Sequence, residues 1–123
     1  MVRQMEGRPS GGGAGPRMTP QTQAVLRALL VRPAKELYGL ELCSLAELPS
    51  GTIHPILARL ETAGWLESRW EESDPSEQGR PRRRYYRLSP DGAEQARSAL
   101  AVANAKRAAL RALRPGTAGG IAP

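Results

Sequence analysis

Residues 50–71, SGTIHPILARLETAGWLESRWE, change their hydrophobic period at one glycine, and that change decides the fold. Ile53, Ile56, Leu57 and Leu60 recur at steps of three and four, which places them on one buried face of a helix. Ser50 stands where the N-cap of that helix is expected. Pro55 falls within the first turn or just past it, where its missing N–H costs about one backbone hydrogen bond. Gly64 suits the left-handed residue that ends a helix. Beyond it, WLESRWE (65–71) has the composition of a strand.

The flanks extend the pattern on both sides. Upstream, Thr19 is placed as an N-cap and Pro20 as the first helical residue. Val25, Leu26, Leu29 and Leu30 form the apolar stripe of that helix, and Pro33 stops it. A second, shorter helix is expected from about Tyr38 to Ala46, with Leu37, Leu40, Leu42, Cys43 and Leu45 as candidate core residues. Leu48-Pro49 halts it. Downstream, RRRYYRL (82–88) reads as a second strand, and the polar ESDPSEQGRP (72–81) reads as the hairpin loop between the two. Ser89-Pro90-Asp91 then opens a last helix with a cap, a first-position proline and an acidic first turn. It is rich in alanine and runs to Leu113 before Pro115. The expected fold is mainly α with a small β-hairpin (α+β), in the order α-α-α-β-β-α. That is the plan of a winged helix-turn-helix.

The ends differ from the middle. Residues 1–17 are dense in glycine and read as a disordered leader, with Met18 as an alternative start; residues 115–123 read as a disordered tail. Between them the winged-helix plan leads us to expect two parts, a winged-helix domain over 18–89, which would be the DNA-binding one, and a last helix over 90–114, which would serve dimerisation. The whole chain, 123 residues, suffices for one modest core and not for a cleft between two domains.

Charge and the rare residues narrow the function. Lys and Arg number 18 against 12 Asp and Glu, a net charge of +6, and an acidic partner such as nucleic acid is favoured. One Cys and one His exclude a disulfide within the chain and a Cys/His zinc site. There is no apolar run long enough to span a bilayer and no signal-peptide core, which fits a cytoplasmic protein. There is no catalytic set that one His could serve, no phosphate-binding Gly-Lys-Ser/Thr and no dinucleotide loop. An enzyme is not expected, nor is a cofactor or a metal.

The DNA site follows from the plan. The N-terminal residues of a recognition helix face base edges and phosphates. Here they are Ser50, Gly51, Thr52 and His54: the hydroxyls can contact phosphate or base, and Gly51 allows close approach. The bland reading leaves Ser50 as a cap and Thr52 as a solvated side chain. Arg59 lies away from the buried stripe, either reaching DNA or solvated. The second strand is the stronger signal. Residues 80–87 contain Arg80, Arg82, Arg83, Arg84 and Arg87 with no acid. Alternation puts Arg82 and Arg84 on one side of the strand and Arg83 with Tyr85 on the other. A basic hairpin beside a recognition helix suits phosphates or a narrow minor groove. Five acids within 67–77 offer the arginines internal partners instead.

Three stretches carry a resemblance to a known family. LYGLEL (37–42), LPSGTIHPILARLETAGWL (48–66) and GRPRRRYYRLSPDG (79–92) occur in order, and over about residues 18–95 the chain resembles the PadR family of bacterial transcriptional regulators. The family usually carries Tyr where this chain has His54. The resemblance implies a winged-helix, usually dimeric, repressor-type DNA-binding protein, in many relatives responsive to a small molecule.

The remaining residues are assigned as follows. Trp65 and Cys43 are expected in the core, and Tyr38 between the first helices. Trp70 and Tyr86 are candidate effector contacts, with core or cross-strand packing as the alternative. From Pro90 to Arg114 the last helix would be about 37 Å long, more than so small a domain buries. Ala96, Leu100, Ala103 and Leu110 follow a seam spacing broken by Arg107, and with Leu29 and Leu30 they are expected to form a homodimer interface. A two-fold dimer would present its recognition helices to a palindromic operator. The competing function is a winged-helix interaction module that docks an acidic protein through its Arg-rich strand.

Overall fold

A computed structural model describes residues 15–113. The leader and tail expected at 1–17 and 115–123 lie outside it, except for residues 15–17. The elements are α1 (Pro20–Leu30), β1 (Leu37–Tyr38), α2 (Gly39–Ala46), α3 (Ser50–Thr62), β2 (Leu66–Trp70), α4 (Pro75–Gln78), β3 (Arg84–Leu88) and α5 (Pro90–Ala112).

The caps account for most of these boundaries. The Thr19 hydroxyl accepts from Thr22 N at 3.1 Å at the start of α1. The Ser89 hydroxyl accepts from Gly92 N at 2.9 Å at the start of α5, and it also donates to Gly64 O at 3.0 Å. One side chain thus ties the start of the last helix to the end of α3. Gly64, at φ +83°, reverses the chain there as expected. Ser50 is not the cap of α3. It is the first helical residue, behind Pro49, whose extended backbone holds the cap position without a side-chain bond. The Ser50 hydroxyl is therefore not engaged in capping.

The hairpin is part of a larger sheet. The strands are antiparallel in the order β1-β3-β2. In register, Leu66 faces Leu88, Arg69 faces Tyr85 and Trp70 faces Arg84 across β2–β3, while Tyr38 faces Tyr85 across β1–β3. The strand β1 replaces what reads from sequence as the start of the second helix. Leu37 and Tyr38 are consequently sheet residues, and Tyr38 packs edge-on against Tyr85 with ring centroids 5.8 Å apart, not between α1 and α2. The turn of α4 breaks the hairpin loop.

The core gathers Val25, Leu26 and Leu29 from α1, Leu42 from α2, Ile53, Leu57 and Leu60 from α3, and Trp65, Leu66 and Leu88 from the sheet. Each such side chain contributes about 1.5–3 kcal/mol when fully buried. Two expected core residues are absent from it: Leu40 and Leu45 are exposed, because α2 is only eight residues long and turns one face, that of Leu42, to the core. Cys43 is half-buried at its edge.

Helix α5 divides at Leu100. Ala93, Ala96 and Leu100 are in the chain's own core, and a Cβ at Gly92 would stand 2.1 Å from the Trp65 carbonyl oxygen. Arg107 reaches back to Gln23 of α1 at 3.0 Å. Three of the residues expected at a dimer interface are buried within this chain. Leu29, Ala96 and Leu100 are used internally, since the small residues of the seam let α5 seat against the domain that precedes it. Leu30 and Ala103 stay half-buried, while Leu110 is exposed with Val102 and Leu113. Among the described residues no helix is long and apolar enough to cross a membrane.

Candidate nucleic-acid interface

A groove of about 450 Å³ runs between α2, the first turns of α3 and the basic segment ahead of β3. Leu40 and Cys43 come from α2, Ser50 and His54 from α3, and Arg80, Arg83 and Arg84 from the other wall. Gly39 makes room for His54: a Cβ there would lie 3.3 Å from His54 Cε1. The structure therefore brings together five of the residues singled out from sequence, namely Ser50, His54, Arg80, Arg83 and Arg84. Gly51, Thr52, Arg59 and Arg82 are outside this groove. Ser50, Gly51, His54 and Arg59 are exposed, and Thr52 is half-buried.

The arginines differ in what they already hold. Arg80 makes two hydrogen bonds to Glu71, at 2.8 and 3.0 Å. These hold the Glu71 carboxyl down at about pKa 2, against a usual 4.5, with the Arg83 backbone N–H adding to the effect. The same contact raises Arg80. Arg84 donates to Ser68 Oγ at 2.8 Å and to Glu61 at 3.4 Å, and its guanidinium lies 5.1 Å from the centre of the Trp70 ring. It joins the wing to the last turns of α3, where Ser68 Oγ also donates to Glu61 at 2.5 Å. Arg87 pairs with Glu67, an exposed pair worth little. Among the described residues Arg82 reaches only a carbonyl, that of Ser73, at 3.1 Å. Arg83 has no carboxylate partner among the described residues; its guanidinium lies 3.9 Å over the Tyr38 ring. Among the described residues of the basic segment, Arg82 and Arg83 are thus the arginines without an acid partner.

The alternation read from sequence agrees with these contacts, since Arg84 faces Glu61 while Arg83 shares a side with Tyr38 and Tyr85. The internal pairing offered by the acidic segment is partly used, through Glu67 and Glu71. Two partners escaped the sequence reading. Glu61 and Glu36 lie outside that segment, and Glu36 meets Arg69 through two bonds of 2.7 Å, which lowers the Glu36 carboxyl. Tyr38 was missed as a neighbour of Arg83, because a two-residue strand leaves no period to read.

The candidate effector residues share the other side of the sheet. Trp70 is 55% exposed, and Tyr86 is half-buried between Leu37 and Ser68, with burial raising its hydroxyl pKa. Among the described residues no group of three or more potential ligands could hold a metal ion.

Three helices, a basic wing and a groove between wing and third helix define a winged helix-turn-helix protein. Residues 28–98 match the transcriptional regulator PadR-like family, and the chain belongs to it. Comparison with curated proteins gave no match. Among solved structures, the transcriptional regulator homologue protein from Pyrococcus horikoshii OT3 shares 18% identity at a TM-score of 0.59, covering 75% of this chain and 84% of that one. PcaV from Streptomyces coelicolor, solved with its natural ligand, shares 24% at 0.57, covering 84% and 67%. Reduced AbfR bound to DNA shares 23% at 0.53, covering 66% of this chain and 53% of that one, so this chain spans about half of AbfR. At these identities the likeness is one of fold.

Proposed function

We propose that this chain is a sequence-specific DNA-binding transcriptional regulator, a cytoplasmic repressor that acts as a homodimer on a palindromic operator. The observation that carries the reading is the groove in which Ser50 and His54 of α3 face Arg83 of the wing. In this reading the first turn of α3 enters the major groove, where Ser50, Gly51, Thr52 and His54 meet base edges and phosphates. Arg59 and Arg82 add phosphate contacts from the flanks. Arg80 and Arg84, engaged with Glu71 and Glu61, give the wing its shape more than they contact DNA. The preponderance of Arg over Lys suits the role, since a guanidinium can fork onto phosphate or guanine.

The homodimer would cover the exposed apolar residues Val102 and Leu110 of α5 and Leu113 at its C-cap, together with Ala103 and Leu30. Release by a small molecule belongs to the same proposal, with Trp70 and Tyr86 as its contacts. Quenching of indole fluorescence across a compound panel tests it, and a response that survives Trp70→Phe would remove Trp70 from the site.

Selection of bound duplexes from a random pool tests the main reading. It should enrich an inverted repeat with half-sites about 34 Å apart, one turn of DNA. A pool that enriches nothing would favour a module docking an acidic protein through the same arginines.

A further inference from the structure

Tyr38 lies outside the recognition helix and the basic segment, yet its ring is the surface on which the Arg83 guanidinium rests, 3.9 Å from ring centre to Cζ. The ring is itself held in place. It meets Tyr85 edge-on at 5.8 Å, Arg69 lies 5.1 Å from the centre of Tyr85, and Arg69 is fastened to Glu36 by two bonds of 2.7 Å. The backbone of Arg83 is pinned as well. Its N–H donates to the Glu71 carboxylate at 3.1 Å, and its carbonyl accepts from Glu71 N at 2.8 Å.

We infer that Tyr38 is a positioning residue for DNA binding: it holds the Arg83 guanidinium by its face at the mouth of the groove beside Ser50 and His54, leaving the N–H edge for one DNA phosphate. The inference rests on the DNA-binding reading and adds to it which arginine is pre-set and by what. Stacking uses the π face of a guanidinium and leaves its in-plane donors unspent, which is the geometry a bidentate phosphate contact needs. An exposed arginine otherwise loses rotamer freedom when it binds, and a ring that has already ordered it reduces that loss. Neither Arg80 nor Arg84 is available in the same way, because each already holds a carboxylate.

A double-mutant cycle on duplex binding by the full chain tests this, using the selected operator. Tyr38→Phe keeps the ring and should bind within about twofold of the parent, because the ring and not the hydroxyl carries the Arg83 contact. Tyr38→Leu and Arg83→Ala should each weaken binding roughly tenfold and shallow the salt slope by about one unit per bound subunit. Together they should do no more than Arg83→Ala alone, because Tyr38 acts through Arg83. Additive losses, or a Tyr38→Leu protein that binds like the parent, would overturn the inference while leaving the DNA-binding reading intact. Absence of duplex binding by the parent protein would overturn both. A second measurement needs no DNA and no destabilising variant. In the parent and in Tyr38→Phe, the Arg83 side-chain NMR signals should be shifted upfield by the ring; unshifted signals would also overturn the inference.

Discussion

Arg80 and Glu71 face each other across the wing loop through two hydrogen bonds, and the same carboxylate accepts from the backbone of Arg83. One acid therefore neutralises Arg80 while fixing the backbone of Arg83. The pairing has a pH signature. The Glu71 carboxyl sits at about 2 in the folded chain against 4.5 ordinarily. A depressed carboxyl contributes stability above its unfolded value and loses it as the pH falls through the folded one. Its share is thus fully present at neutral pH and fades between about 4.5 and 2. Amide exchange in the 71–83 segment should quicken over that window beyond its intrinsic pH dependence, and Glu71→Gln should abolish the extra change. Parent and variant behaving alike from neutral to acid would refute the pairing.

Gly92 faces the Trp65 backbone at a distance no side chain fits, with a Cβ only 2.1 Å from the carbonyl oxygen. Neither neighbour can yield cheaply, since both belong to the junction that Ser89 ties together. Gly92→Ala should destabilise the fold by about 3 kcal/mol, as overpacking does. Thermal unfolding would then fall by more than about 10 °C. An unchanged midpoint would show that α5 is not seated as described.

The exposed half of α5 should govern assembly without affecting the fold. Leu110 and Leu113 are 68% and 75% exposed, so Leu110→Asp with Leu113→Asp should leave the thermal midpoint of the isolated domain nearly unchanged. In sedimentation, the parent should run as a dimer and the double variant as a monomer. A parent that is monomeric at all concentrations would contradict the proposed homodimer.

Much of this fold is legible in the sequence, for reasons that can be located. Thr19-Pro20 and Ser89-Pro90 mark helix starts because hydroxyl caps and first-position prolines satisfy the same unpaired N–H groups. The apolar stripe of α3 is read directly, because one face of a long helix repeats often enough to be seen. Three features were hidden. A strand of two residues has no period, so β1 passed for helix and Tyr38 was detached from Arg83. A short helix such as α2 can bury Leu42 while exposing Leu40 and Leu45, and apolar type alone does not distinguish them. The alanine seam of α5 reads equally well as a partner's contact or an internal one; only packing shows that Ala96 and Leu100 face their own domain. Within the candidate site, the arginine run was visible, but which arginines already hold an acid was not, because Glu61 lies 23 residues from Arg84.

If the face holding Ser50, His54 and Arg83 binds duplex DNA, its affinity must fall with salt. Affinity for the selected operator measured against salt concentration tests it most directly. Each neutralised phosphate contributes about −0.9 to the slope of log affinity against log salt. Two subunits with at least two phosphate contacts each should give a slope of about −3.6 or steeper, and replacing both Arg82 and Arg83 with Ala should flatten it. A slope near zero, or one that the double replacement leaves untouched, would contradict the account.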